Sequence, residues 1–390
     1  MMSYRHTTLG QVADINPKAD WTSVNQLPVV SFVPMAAVSD SNYCLMGVQE
    51  RPLEAVRKGF TYFRRGDVLL AKITPCFENG KVALAEIPQE HGFGSTEFHV
   101  IRAKEGTTHP RFLYYMLRRP AFLSEGTRNM TGSAGQKRVP KLFLENLSLA
   151  LPSLEQQEWI VEALDKADAL RRKDQELLQK YDELAQSIFY EMFGDPLGSS
   201  DNRVPLSSVV EINPSKREAR VSPDTPVSFL PMTCVGEDGS LELSQVRQFK
   251  EVSTGFTYFR DDDVLFAKIT PCMENGKGAI ARGLLNGIGF GSTEFHVLRP
   301  STRTTSEFIY TLLHLTDVRK EAANNMTGSG GQQRVPRTFF DALCITVPPV
   351  ELQEDFSKRL SVVRALRARA LSNIASSTTL FDSLLSKYFV

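Results

Sequence analysis

Residues 9–158 of this chain recur at 206–354. ITPCFENGK at 73–81 returns as ITPCMENGK at 269–277, and GFGSTEFHVIR at 92–102 returns as GFGSTEFHVLR at 289–299. NMTGSAGQKRVP at 129–140 returns as NMTGSGGQQRVP at 325–336, with the offset held at 196 or 197 throughout. Solenoids repeat every 20–50 residues or so. A period this long belongs to a whole domain, so the chain is read as two copies of one globular module, each followed by a long helical segment. Two similar modules on one chain imply a target with two similar parts.

A length of 390 residues accommodates two or three domains of about 100–200 residues each. The five cysteines, Cys44, Cys76, Cys234, Cys272 and Cys344, are odd in number and lack C-x-x-C spacing, which argues against a disulfide framework or a zinc site. No apolar run of the roughly 18 residues needed to span a bilayer occurs, and MMSYRHTTLG lacks a signal-peptide core. A cytoplasmic protein without membrane association is expected. The 45 Lys and Arg balance the 45 Asp and Glu, so a whole-chain field for polyanions is missing. One local patch stands out: RNMTGSAGQKRVPK at 128–141 holds Arg128, Lys137, Arg138 and Lys141 and no acidic residue.

The first copy reads as mixed α and β. LGQVADI at 9–15 suggests a short helix or turn, and VVSFVPM at 29–35 a strand. TYFRRGDVLLAKIT at 61–74 and KVALAEI at 81–87 are rich in strand formers. Asn79-Gly80 between them predicts a tight hairpin turn. TEFHVIRA at 96–103 alternates as a strand, and Pro110 opens a helix through RFLYYMLRR that should fail near Gly126. EFIYTLLHL at 307–315 is the matching helix of the second copy.

Ser153 and Gln156 form a capping box before a long helical run, and Gly194 with Pro196 stops it. Positions 163, 167, 170, 174, 177, 181, 184 and 188 step by four and three with one polar break at Asp174, which predicts a coiled-coil seam. At the offset of 196 the second helical run offers Val363, Leu366, Ala370, Asn373, Ser377, Leu380 and Leu384. A single amphipathic helix this long needs a partner in water, so the two should pair. LGSSDNR at 197–203 is the one linker-like stretch.

Several ordered motifs carry a family resemblance. Each module ends in a G-S-x-x-Q-x-x-V-P segment: Gly132, Ser133, Gln136, Val139 and Pro140, then Gly328, Ser329, Gln332, Val335 and Pro336. Each feeds a helix start with Pro152, Glu155 and Gln157, or Pro348, Glu351 and Gln353, and the central helix closes on FGDP at 193–196. This resembles the specificity subunit of type I restriction–modification systems over essentially the whole chain. The second helix start, PPVELQE, departs from the pattern in lacking the serine cap.

The resemblance implies an α+β chain of two tandem α/β target-recognition domains separated by two long helices in an antiparallel coiled coil, with pseudo-two-fold symmetry. The domains are placed at 1–151 and 197–347, and the spacer helices at 152–196 and 348–390. It further implies a non-catalytic subunit that reads a bipartite, asymmetric double-stranded DNA site. Its partners would be two methyltransferase subunits and restriction subunits, with S-adenosylmethionine, ATP and Mg²⁺ bound by those partners.

The chain lacks a G-x-x-x-x-G-K-[ST] phosphate loop. INPK at 15–18 and INPS at 212–215 are like the N-P-P-aromatic motif of amino-methyltransferases but lack the second proline and the aromatic, and are read as turns. ENGK at 78–81 has E-x-x-K rather than nuclease E-x-K spacing. His99 and His296 sit within strands, where a half-buried core role fits better than metal ligation. Glu97 and Glu294 could accept from cytosine N4 or pair with a nearby cation.

The basic loops are the leading DNA candidates. Gly132, Ser133, Ala134 and Gly135 allow close backbone approach, and Gln136, Lys137 and Arg138 are of the types that read purine edges or hold phosphates. The full set of DNA-binding candidates in the first copy is Lys72, Thr74, Lys81, Arg128, Thr131, Ser133, Gln136, Lys137, Arg138 and Lys141. In the second it is Lys268, Thr270, Lys277, Thr327, Ser329, Gln332, Gln333, Arg334 and Arg337. Each also has a plainer reading as a solvated loop residue. Segments shared by both copies cannot explain different readings by the two halves, so the divergent stretches 36–58, 82–91 and 103–127, with 233–254, 278–288 and 300–324, are the better specificity candidates. A recognition subunit of a methyltransferase-only or type II system, a single-chain restriction enzyme and a coiled-coil protein scaffold are the competing classes. The zero net charge suits the scaffold best.

Overall fold

In a computed structural model of the chain, the described residues are 4–40, 44–133, 135–198, 202–329 and 331–389. They form two compact units, Met1–Glu176 with Ala370–Val390, and Leu177–Arg369. Each unit holds one globular module and halves of two long helices, Leu154–Phe193 and Val350–Tyr388. Among the described residues no helix is long and apolar enough to cross a membrane.

The strands of the first unit are β1 (Arg5–Thr8), β2 (Ala13–Ile15), β3 (Val29–Val33), β4 (Gln49–Pro52), β5 (Thr61–Arg64), β6 (Val68–Ala71), β7 (Val82–Leu84), β8 (His91–Gly94), β9 (Phe98–Ala103) and β10 (Ser148–Leu151). They make an antiparallel sheet in the order β2-β9-β6-β7, a mixed sheet β4-β3-β8-β5 in which β3 and β8 are parallel, and the pair β1-β10. The second unit repeats all three sheets in the same order. The central strand reads VLLA with no polar position because both of its faces are covered. Val68 and Leu70 meet helices, whereas Leu69 meets Val33, Phe63 and Val100 between the sheets.

The identity of GFG in the two copies has a steric origin. A Cβ at Gly92 would fall on the ring of Phe63, and one at Gly94 on the carbonyl of Val33. Gly289 and Gly291 stand in the same relation to Phe259 and Leu230.

Three local expectations are corrected. Asn79-Gly80 is not a two-residue hairpin turn. The β6–β7 ladder ends where Ala71 N–H donates to Lys81 O (2.9 Å), and the connection coils so that Asn79 N–H reaches Pro75 O at 2.9 Å and Gly80 N–H reaches Phe77 O at 2.8 Å. The fully buried Phe77 anchors this longer loop. The helix opened by Pro110 ends at Met116, and a second, Pro120–Arg128, runs through Gly126. Proline starts a helix readily but cannot continue one, and Gly126 is needed because the ring of Phe77 occupies the space of its Cβ.

The helix seam also differs from expectation. Leu170, Leu184, Leu366 and Leu380 are exposed. In the first unit the buried line on the first long helix is Ile160, Leu164, Ala167, Arg171 and Asp174. Arg171 takes a seam place because Asp168 pairs with it (2.9 Å) and its guanidinium lies 5.9 Å from the ring centre of Phe381. A count of apolar letters cannot see an arginine neutralised in this way. Within each unit the helix halves run antiparallel. Trp159 meets Tyr388 (5.3 Å) and Arg171 meets Phe381 in the first unit, while Phe189 meets Phe356 (5.6 Å) and Asp182 meets Arg367 (2.7 Å) in the second.

At the offset of 196, Ala322 stands for Gly126 and Met273 for Phe77. Gly126→Ala should therefore destabilise the first unit by about 1–3 kcal/mol through overpacking, although alanine is the better helix former. Adding Phe77→Met should restore most of the loss in denaturant unfolding. A Gly126→Ala chain as stable as the parent would contradict the steric reading.

Candidate nucleic-acid interface

The repeated basic loop is closed across its two arms and pinned to the sheet by the outgoing one. Thr131 and Arg138 exchange backbone hydrogen bonds (2.9 and 2.8 Å), closing a loop with an exposed tip. The outgoing arm lies along the segment leaving β6: Thr74 N–H donates to Lys137 O at 3.0 Å, and Val139 N–H to Lys72 O at 2.9 Å. Gly132 has φ +130°, and a Cβ there would meet Gln136 O. The second copy reproduces these bonds between Thr327 and Arg334, Thr270 and Gln333, and Val335 and Lys268, with Gly328 at φ +124°. Ala134 lies outside the described residues.

Arg138 grips Glu97 with both arms of its fork, Nε to Oε2 at 3.0 Å and Nη2 to Oε1 at 2.8 Å, while Nη1 donates to Gln136 O at 3.2 Å. Arg334 repeats this with Glu294 and Gln332 O. Hydrogen bonds and charge from the arginine hold each carboxyl below its ordinary range. Of the two readings of these glutamates, the geometry is that of a cation partner.

Beneath the loop lies a second fastening. His99 donates from Nε2 to Val139 O (2.8 Å), and its Nδ1 accepts from Asn16 Nδ2 (3.0 Å). Two donors around one ring nitrogen would clash, so the pair of partners selects the neutral tautomer with hydrogen on Nε2. Asn16 has φ +57°, its N–H donates to Val100 O, and its Oδ1 accepts from Val100 N–H. His296, Val335 and Asn213 repeat the arrangement. INPK and INPS are thus turns that clamp β9 and its counterpart, and both histidines are core residues.

Of the sequence candidates, Lys72, Thr74, Thr131, Ser133, Gln136, Lys137 and Arg138 come together around this loop. Thr74 Oγ1 is spent internally, donating to Gly135 O and accepting from Lys137 N–H, both at 3.2 Å. Lys72 is half-buried and its charge acts on Glu97 and His99. Gln136 and Lys137 are exposed at the tip, and Arg128 is exposed at its helix end. Lys141 pairs with Glu145 (3.0 Å) on the helix after the loop. Lys81 contributes backbone to the ladder and stands half-buried at the far end of the β6–β7 connection.

In the second copy Thr327, Ser329, Gln332, Gln333 and Arg337 are exposed and Lys268 is half-buried. Thr270 Oγ1 donates to Gln333 O (3.3 Å). Lys277 is turned away, its Nζ donating to Met232 O at 3.2 Å.

Sequence reasoning overlooked an aromatic component. In the second unit Lys268 lines an open groove of about 270 Å³ together with Asn213, Lys216, Phe256 and Tyr258. Phe256 is 37% exposed, as is Phe60 in the first unit, and each packs edge-on against a buried or half-buried phenylalanine, Phe229 or Phe32. The available signal was GFTYF, identical at 59–63 and 255–259.

Residues 3–180 match the Type I restriction modification DNA specificity domain. Curated relatives include the specificity subunits of the type I restriction enzymes EcoAI and EcoEI of Escherichia coli. They are 36% identical over 187 residues and 35% identical over 191. Over residues 3–180 the chain carries that specificity domain. The internal repeat makes the second module similar to the first. Each match takes in 47% of this chain and only 31% or 32% of the relative, so the chain aligns with about a third of those proteins. The HindI specificity subunit of Haemophilus influenzae is 23% identical over 204 residues, 50% of this chain and 42% of the relative.

Two solved structures share the fold. A chain from a study of complex assembly and conformational transition of the type I R-M system gives a TM-score of 0.57 at 20% identity, covering 99% of this chain and 97% of that one. The type I S subunit of M. genitalium gives 0.53 at 13%, covering 100% and 96%.

Burial lowers the affinity of His99 and His296 for protons. A histidine with a depressed folded-state pKa leaves stability intact above its unfolded value, near 6.5, and drains it as pH falls toward the folded value. Thermal stability should therefore drop between pH 8 and pH 5.5, and His99→Gln with His296→Gln should flatten that slope. An unchanged slope in the double variant would assign the acid sensitivity elsewhere.

Proposed function

We propose that this chain is the non-catalytic DNA-recognition subunit of a type I restriction–modification complex, each module reading one half of a bipartite, asymmetric duplex site. The supporting observation is the basic loop built twice with the same backbone pins and the same arginine–glutamate fork. In this reading two methyltransferase subunits and restriction subunits dock on the chain and carry S-adenosylmethionine, ATP and Mg²⁺.

The fork refines which residues do the reading. An arginine reads guanine by presenting two parallel donors to O6 and N7. Glu97 already occupies that edge of Arg138, leaving it to shape the loop and offer its remaining N–H groups to phosphate. Gln136 and Lys137, or Gln332 and Gln333, are the tip residues free to reach base edges. Lys72 and Lys268 complete the phosphate-facing charge, and Phe60 and Phe256 supply an apolar floor for sugars or thymine methyls.

Binding to a specific duplex should weaken steeply with salt, because phosphate contacts release counterions; a salt-independent or absent interaction would point to a protein-binding scaffold instead. Arg138→Ala and Arg334→Ala should each weaken binding alike for cognate and single-base variant duplexes, and Lys72→Ala should lower the salt slope by about 1. Wild-type affinity in all three variants would remove the loop from the interface. Exchanging residues 36–127 for those of a relative should change one half of the methylated sequence, read by methylome sequencing with the modification partner present. Alteration of both halves would show that the modules do not read independently.

A further inference from the structure

Each module is completed by the end of a long helix, and the two seats share one contact before they diverge. Phe389 packs on Phe112 (4.9 Å) in the first unit, and Phe193 packs on Phe308 (5.3 Å) in the second. Two turns back along the helix, equivalence at the offset of 196 breaks down. The first seat receives Phe381, 4% exposed, with the ring of Tyr115 at 5.9 Å and the guanidinium of Arg118 at 4.7 Å. The second receives Ala185, facing Thr311 and His314, and a recess of about 240 Å³ lies beside these three residues.

Charge separates the seats as well. In the second unit Asp182 of the seated helix pairs with Arg367 (2.7 Å). Its counterpart in the first unit is Thr378, and Arg171, the counterpart of Arg367, is served instead by Asp168 of its own helix (2.9 Å).

We propose that these differences make the seats selective. The end of the second long helix docks on the first module because of Phe381, and the end of the first docks on the second module because of Asp182. An exchange of ends would leave a ring-sized void against Tyr115 and Arg118 in one seat, and in the other Arg367 would keep Asp238 (3.2 Å) but lose its shorter bond to Asp182. Voids of that kind and the loss of a charge-assisted hydrogen bond are both costly. Selectivity favours pairing of the two unlike halves and opposes pairing of two copies of the first half, which would otherwise yield a symmetric dimer. This inference does not depend on what the chain binds.

The test begins with the folded full chain carrying a protease site between Leu197 and Asn202. After cleavage the halves re-equilibrate in moderate denaturant, and native mass spectrometry counts mixed pairs against self-pairs of the amino-terminal half. Mixed pairs should exceed self-pairs by about tenfold or more, corresponding to about 1.4 kcal/mol. Asp182→Thr with Ala185→Phe, which gives the first helix end the letters of the second, should raise self-pairing severalfold. Phe381→Ala leaves the first half untouched and should lower the mixed-pair share. Statistical pairing in the parent chain, or a ratio indifferent to both sets of substitutions, overturns the proposal.

Discussion

Neither module closes its core with its own strands and short helices. The largest apolar cluster of the first unit takes in Ile160 and Leu164 from one long helix and Phe381, Leu385 and Tyr388 from the other. That of the second takes Phe356 and Leu360 from one and Phe189 from the other. The helix starts are built to serve this constraint. Gln157 is fully buried at the first helix start, accepting from His109 N–H and donating to Thr107 O and Pro152 O. Gln353 does the same with Thr305, Arg303 and Pro348. A buried amide with its hydrogen bonds met fixes direction as well as position, so each module aims its own helix while waiting for the end of the other.

A second layer of constraint runs from that core to the loop. His99 holds the carbonyl of Val139, and the outgoing arm of the loop is pinned along Lys72–Thr74. Arg138 then locks the arm to Glu97. The tip bearing Gln136 and Lys137 is consequently presented on a short, stiff base. Preorganisation of this kind lowers the ordering cost of binding, and its duplication in both modules fits a surface that each half must offer to the same backbone chemistry.

Much of this architecture was legible in the letters. The repeat gave two modules, Ser153 with Gln156 gave the helix start, and Gly194 gave its end. What stayed hidden was interaction between residues distant in sequence. The ring of Phe77 beside Gly126 turned a helix breaker into a helix residue. Asp168 made Arg171 a buried seam position and pushed Leu170 to the surface. The loop was legible as a basic patch, but the partner of Arg138 was not, because Glu97 lies forty-one residues away on the edge of β9. Comparing the two copies recovers part of the missing information. Glu86–Arg111 in the first unit answers to Arg282–Glu307 in the second, the same contact with its polarity reversed.

Under the proposed function, that reversal bears on how one fold would serve two readings. Where the copies keep identical residues, as in GFG and the His–Asn clamp, the reason is steric or a fully satisfied hydrogen-bond set, and substitution in either copy meets the same obstacle. Where they differ in concert, as at Phe77 with Gly126 or Glu86 with Arg111, the contact survives and the letters are free to change. The residues left to carry different readings are those bound by neither rule. Lys137 and Gln333 occupy the same exposed place in the same rigid loop with different charge. The edge strand β4 and its counterpart, Val246–Gln248, share one strand order but carry QERP against VRQ. Under the proposed function, specificity is thereby confined to positions where a change costs the fold little, which is the condition under which a duplicated module could come to read two unlike half-sites.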